Sequence, residues 1–289
     1  MSAIAQSQKN SRPVARAKPW FAWGKWGLRV VAVSYLFLMI VLPLSAIFQN
    51  GFSQGLAAFY QELIAPIAFD ALKLTLMVAL IVTVINAVMG TLTAYALVRY
   101  DFPGKSLFNA MIDMPFAIPT LVTGVMLVAL YGQQRTLGAW LGAQDIQVIF
   151  ATPGIVLALL VITYPFVIRA VQPLLMETDI GQEEAAYTMG ASKWTTFRKI
   201  LLPTIFPAIV TGALLSFGRA LGEFGSIVVV AGNIPGRTLT APVHIYGQIE
   251  SQNQHGASAV SILLLSISFL LILTVDWLQS RKRSTYVAN

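Results

Sequence analysis

Three ionisable residues stand where a charge is expensive. Asp113, Arg219 and Glu223 lie inside or beside long apolar stretches, and a charge at membrane depth has to face protein or water. Arg219 and Glu223 are four residues apart, so one continuous helix would set them on a shared face where guanidinium and carboxylate can pair. Two roles fit this spacing. The pair can be a satisfied internal bridge that fixes helix packing, or it can line a path on which the guanidinium helps an anion across. No catalytic constellation accompanies it. The chain has no cysteine, which removes disulfides, thiolate metal sites and a cysteine nucleophile. Its two histidines, His244 and His255, lack metal-ligand spacing and read as ordinary loop residues. A nucleotide-binding P-loop needs the pattern G-x4-G-K-[ST]. Gly104-Lys105-Ser106 has Arg99 where the first glycine belongs, and Gly24-Lys25 is followed by Trp26. No catalytic, cofactor-binding or metal site is therefore expected on this chain.

The elements that hold these residues follow from composition. Of 289 residues, 56% are hydrophobic and only 11% are charged, against about 25% charged in soluble domains. A helix crosses the hydrocarbon with about 20 apolar residues. Six blocks approach that length: Leu28–Phe48, Ala71–Leu97, Leu107–Tyr131, Ile155–Val171, Ala208–Ala231 and Ser258–Leu278. Short alternating segments of the β-barrel kind are missing. The expected fold is thus an all-α membrane protein of six transmembrane helices. The first block is too long for a signal-peptide core and lacks a small-residue cleavage site, so it reads as an uncleaved helix.

Charge placement orients the helices. With six crossings both termini share a side, and that side collects 15 Lys and Arg, from Lys9 through Lys105 and Arg169 to Arg283, against Arg135 and Arg237 opposite. Lys and Arg mark cytoplasmic loops, so both termini are expected in the cytoplasm. The same placement accounts for the net charge of +7 without nucleic acid. Residues 1–27 read as a basic tail lying near anionic lipid, and residues 279–289 as a second cytoplasmic tail.

One connection is long enough to need a reason. Between the fourth and fifth crossings, over residues 172–206, two short helices are expected about a glycine. The first spans Gly181–Met189, Gly190 ends it with positive φ, and Ser192 caps the second. Pro203 and Pro207 are expected to break the chain before the fifth crossing. Trp194, Phe197, Ile200 and Leu201 share one face of the second helix, suited to a membrane surface or a partner's groove.

This segment resembles a known one. Glu184-Ala185-Ala186, three residues, Gly190, nine residues, then Ile200-Leu201-Leu202-Pro203 is similar to the EAA loop of binding-protein-dependent ABC permeases, and the resemblance runs from about Asp70 to Asp276. It implies a type I ABC importer permease core over residues 70–276. It also implies a coupling helix seated in an ATP-binding subunit through Glu184, Ala185, Ala186, Gly190, Trp194, Phe197, Ile200 and Pro203. ATP and Mg would be bound by that subunit, in two copies. A second homologous permease, a periplasmic binding protein and a bacterial cytoplasmic membrane complete the implied setting.

The string from Gly218 to Ile227 and the string from Asp113 to Gly124 resemble the fifth and third crossings of the sulfate/thiosulfate subgroup, with molybdate and tungstate permeases as the alternative. Asp113, Pro115, Pro119, Thr120, Arg219, Glu223 and Phe224 would then lie along the translocation path. Short strings outside these crossings, such as WGKW and AGNIPGRTLT, are most similar to W-type members, which implies a T-type partner. A stand-alone secondary transporter would leave the EAA loop unexplained, and an intramembrane enzyme would need a nucleophile–base pair that is not there.

Overall fold

A computed structural model describes residues 22–287, with side chains placed for residues 26–274. Most of the expected N-terminal tail, and the side chains of Asp276, Leu278, Arg281, Lys282 and Arg283, lie outside that range. Every element among the described residues is helical. Five helices are long and apolar enough to cross a membrane, or six when one bent pair is taken as a single span.

Two units are distinguished, divided between Phe48 and Gln49. The first holds α1 (Ala22–Leu36), a π-turn (Phe37–Val41) and the start of α2 (Leu42–Phe52). None of its described residues is buried. The second unit begins with the end of α2 and α3 (Gly55–Ile64) and is built on a long helix, α4 (Pro66–Arg99). Proline at the first position of α4 loses no hydrogen bond. Arg99 in its last turn suits the negative helix end. There follow α5 (Lys105–Ala117), α6 (Thr120–Tyr131), α7 (Thr136–Gly142) and α8 (Thr152–Glu177). Then come α9 (Ile180–Thr188), α10 (Lys193–Thr196), a second π-turn (Phe197–Leu201) and α11 (Leu202–Leu221). The chain ends with α12 (Gly225–Val230), α13 (Ala241–Glu250) and α14 (Gln254–Val287).

The core is the bundle of α4, α8 and α11. Val167 of α8 fits between two glycines, and each glycine is there for space. A Cβ on Gly90 of α4 would lie 2.9 Å from the Val167 Cβ, and one on Gly212 of α11 would lie 2.7 Å from its Cα. One turn away is a polar layer. Asn86 donates to the Thr163 hydroxyl at 2.7 Å and to the Ser216 hydroxyl at 3.4 Å. Moving from the first layer to the second lowers the number on α4 and α8 and raises it on α11. So α4 and α8 run parallel and α11 runs against them. Small residues and interhelical hydrogen bonds are how helices associate where solvent gives no hydrophobic drive.

Several expected boundaries are corrected. The third crossing is not one helix, since α5 and α6 meet at 112°. Ile118 precedes a proline, which disfavours helical backbone, and it is extended at φ −84°, ψ 127°. The fourth crossing runs on to Glu177, which moves Arg169 away from the helix end and shortens the long connection. Pro203 and Pro207 do not break the chain, because one helix runs from Lys193 to Leu221. The π-turn before Pro203 widens the helix where the ring would strike the preceding turn. The fifth crossing stops early, at Leu221, and α12 is separate. Both histidines are buried in helices rather than lying in loops. His244 has its pKa lowered by burial, against the pull of the Glu62 carboxylate, and the His255 Nδ1 sits 3.1 Å from the Asn50 carbonyl oxygen.

Gly212→Ala is expected to destabilise the bundle by about 1–3 kcal/mol through overpacking. Gly218→Ala, with nothing within 4 Å of the new carbon, is the control. Unfolding temperature in detergent should fall for the first and hold or rise for the second.

Candidate functional site

Two sites carry the ionisable and motif residues, one at each end of α11. At the first, Asp179 caps α9 by accepting from the Gly181 N–H at 2.9 Å. The motif residues part company here: Glu184 and Ala185 are exposed, while Ala186 is buried. The helix ends in a paired closure. The Ala191 N–H donates to the Ala186 carbonyl and the Gly190 N–H to the Tyr187 carbonyl, both at 3.0 Å. This closure requires a left-handed residue, and Gly190 has φ +82° with no atom within 4 Å of a would-be Cβ. Backbone conformation alone therefore dictates glycine. The Ser192 hydroxyl accepts from the Thr195 N–H at 3.2 Å.

The second leg of the loop splits its apolar face. Leu201 is buried and Ile200 half-buried. Phe197 stacks on Trp194 with ring centres 5.8 Å apart and presents an edge to Tyr95. Trp194 stays 68% exposed and Met189 81% exposed. Pro203 and the basic Lys193, Arg198 and Lys199 are also exposed. Large apolar side chains gathered at the polar end of a membrane bundle mark an interaction surface.

At the other end of α11 two interrupted helices meet. Pro119 and Thr120 begin α6, and Phe224 and Gly225 begin α12. A Cβ on Gly225 would lie 2.3 Å from the Thr120 Oγ1, and one on Gly124 would lie 2.8 Å from the Ser226 carbonyl oxygen. Glycine at these points lets the two helix starts abut. Arg219 and Glu223 do pair, at 2.7 Å, but they do not share a continuous helix, because Glu223 lies in the break after Leu221. Its second oxygen accepts from the Ser226 N–H at 2.9 Å and from the Ser226 hydroxyl at 3.0 Å. The carboxylate thus ties α11 to the start of α12. Its side chain is 2% exposed, whereas that of Arg219 is 34% exposed. Phe224 packs on Tyr246 of α13 with ring centres 5.2 Å apart.

Pro119, Thr120, Glu223 and Phe224 are brought to this junction, and Arg219 joins through Glu223. Asp113 has a different partner. It takes two hydrogen bonds from Arg169, at 2.7 and 2.6 Å, and Arg169 also donates to the Asn109 carbonyl at 3.0 Å and to Gln172. Pro115 lies inside the same helix as Asp113. Sequence reasoning set Arg169 near the end of the fourth crossing and counted it only as a cytoplasmic-side charge. The signal for its true role was the spacing of Asn109 and Asp113 on one face of α5 and of Arg169 and Gln172 on one face of α8. Glu183 and Arg99 were also missed, and they form an ion pair at 2.7 Å. No group of three or more potential metal ligands occurs among the described residues.

A bundle of membrane-crossing helices, interrupted at an internal ion pair and carrying an exposed two-helix loop, has the build of a transporter's membrane subunit. The model of the family described as binding-protein-dependent transport system inner membrane component matches residues 86–284, and the chain belongs to that family. A probable sulfate transport system permease protein, cysT, of Nephroselmis olivacea is 40% identical over 273 residues, covering 94% of this chain and 95% of that protein. The sulfate transport system permease protein CysT of Escherichia coli (strain K12) is 39% identical over 247 residues, covering 86% and 89%. Both relatives carry the T designation. A bacterial ABC transporter involved in the import of the acidic polysaccharide alginate shares the fold, with a TM-score of 0.74 at 17% identity over 90% of this chain and 96% of that one.

Removing one partner of a buried pair strands the other at about 3–5 kcal/mol. Arg219→Ala is therefore expected to lower transport sharply. Transport restored in Arg219→Ala/Glu223→Ala would assign the pair to packing, and transport still lost would assign Arg219 to the path.

Proposed function

We propose that the chain is the permease subunit of an ATP-driven importer that carries sulfate or thiosulfate across a bacterial cytoplasmic membrane, with both termini in the cytoplasm. The observation that carries the coupling is the two-legged connection between α8 and α11. Its first leg ends at a left-handed Gly190, and its second leg runs without interruption from Lys193 to Leu221. Those 29 residues form a rod about 40 Å long at 1.5 Å per residue. A push on the exposed Trp194 is thereby delivered to the break that holds Glu223.

The energy comes from elsewhere. ATP and Mg are bound by a partner, in two copies, each receiving one permease loop, and this chain is not itself an enzyme. The other loop belongs to a second homologous permease of the complementary type, W or T. A sulfate- or thiosulfate-binding protein delivers the anion from outside. The names of the relatives support sulfate over the molybdate and tungstate alternative. Specificity then rests mostly on the external protein, because tight binding on the path would hinder release. The path follows the junction of α6 and α12, where Arg219 offers part of its guanidinium while Glu223 holds the rest. Two-state gating of this kind needs only that the ATP-bound partner grip one orientation of the loop better than the other.

Gly190→Val tests the coupling. A β-branched residue held at positive φ costs about 1–3 kcal/mol, which misaims α9 and leaves the insertion of the crossings alone. Retention of the ATP-binding subunit and sulfate uptake should both fall, with membrane insertion kept. Normal retention with normal uptake would reduce the loop to an interfacial helix.

A further inference from the structure

The last turn of α4 is linked to the loop in a way that the EAA pattern does not include. The loop joins α8 to α11, so both of those helices follow its movement through the chain itself. The third member of the bundle, α4, has no such connection. Its covalent neighbours beyond Arg99 lead to α5. Whatever makes α4 follow the loop must be a contact between side chains.

The Val167 and Asn86 layers hold α4 to its neighbours farther along the bundle, and Arg99 supplies the contact at the loop itself. Its Nη2 lies 2.7 Å from the Glu183 carboxylate of α9 and donates to the Thr178 carbonyl at the end of α8 at 3.4 Å. Both side chains of the pair are shielded, at 11% and 6% exposed. It is the single ion pair between the loop and the bundle among the described residues. Little else fastens α9, whose only other buried residue is Ala186. One turn earlier, Tyr95 meets Phe197 of the second leg edge to face, at 5.8 Å. The end of α4 thus touches both legs of the loop. An apolar contact is non-directional and lets surfaces slide. A shielded ion pair held at 2.7 Å loses Coulomb energy as its charges are drawn apart, so it resists displacement.

We infer that the Arg99–Glu183 pair transmits displacement of the coupling loop to α4, which makes Arg99 and Glu183 positioning residues for transport and not contacts to the ATP-binding subunit. Without the link, α8 and α11 would move against α4 and shear the Asn86–Thr163–Ser216 layer.

The inference rests on the ATP-coupled reading, and the experiment separates the two. The assembled complex with its second permease, ATP-binding subunits and binding protein is placed in proteoliposomes. Sulfate moved per ATP hydrolysed is then measured for the parent, for Arg99→Met/Glu183→Leu and for the swap Arg99→Glu/Glu183→Arg. The apolar pair replaces a buried bridge without stranding a charge. It should assemble and keep its ATP-binding subunits, while sulfate moved per ATP falls at least fivefold. The swap should recover at least half of the parental ratio. A parental ratio in the apolar variant, or an assembled swap with no recovery, would overturn the inference. So would loss of assembly in both variants, which would make the pair a structural brace. A parent complex that binds no ATP-hydrolysing subunit would instead defeat the coupling reading, and this inference with it.

Discussion

A helix that ends inside a bilayer leaves backbone groups that no water can reach, and Glu223 closes the end that matters most here. Its carboxylate holds Arg219 with one oxygen and the amide and hydroxyl of Ser226 in α12 with the other. Hydrocarbon punishes each unsatisfied polar group, so an interrupted crossing survives only where protein surrounds it. The rest of the junction meets that demand. Thr120 and Gly225 bring the starts of α6 and α12 against each other, and Tyr246 covers Phe224. A carboxylate that is almost fully shielded and a guanidinium that is one-third open make the junction both a brace and the one place on α11 where a cation meets open space.

The loop and the junction lie at opposite ends of one rod, and this explains why α11 continues through two prolines. A broken helix at Pro203 would absorb displacement in the break. The π-turn at Phe197–Leu201 accommodates the ring and keeps the helix whole. Gly90 and Gly212 bring α4 and α11 into close packing against Val167 of α8. The bend at Ile118-Pro119 has the opposite effect. It frees α5 from the axis of α6, and α5 is then fastened to α8 by Arg169 and Asp113.

Much of the loop was legible because its signals are local. Gly190 and Ser192 shape bonds that span three to five residues, and sequence spacing reports such bonds directly. The apolar blocks were legible because bilayer thickness fixes their length. Boundaries inside the membrane were not. Ala208–Ala231 carries Arg219 and Glu223 as its only charges, and their spacing of four suits a continuous helix as well as it suits the observed stop at Leu221. Pro119 ends a helix while Pro165, Pro173, Pro203 and Pro207 do not, since neighbouring helices decide whether freed carbonyls find partners. Pairs that bridge distant segments were the least legible. Arg169 with Asp113 and Arg99 with Glu183 join residues 56 and 84 positions apart, and their geometry exists only once the helices are packed.

The central claim is that this chain moves an oxyanion by coupling to hydrolysis on another subunit. The most direct measurement is ATP hydrolysis by the reconstituted importer containing this chain, with its binding protein loaded in turn with sulfate, thiosulfate, molybdate or tungstate. Stimulation by sulfate or thiosulfate, with matching uptake into the vesicles, is the expected result. Uptake that proceeds without ATP, or hydrolysis that responds to none of these anions, would contradict it.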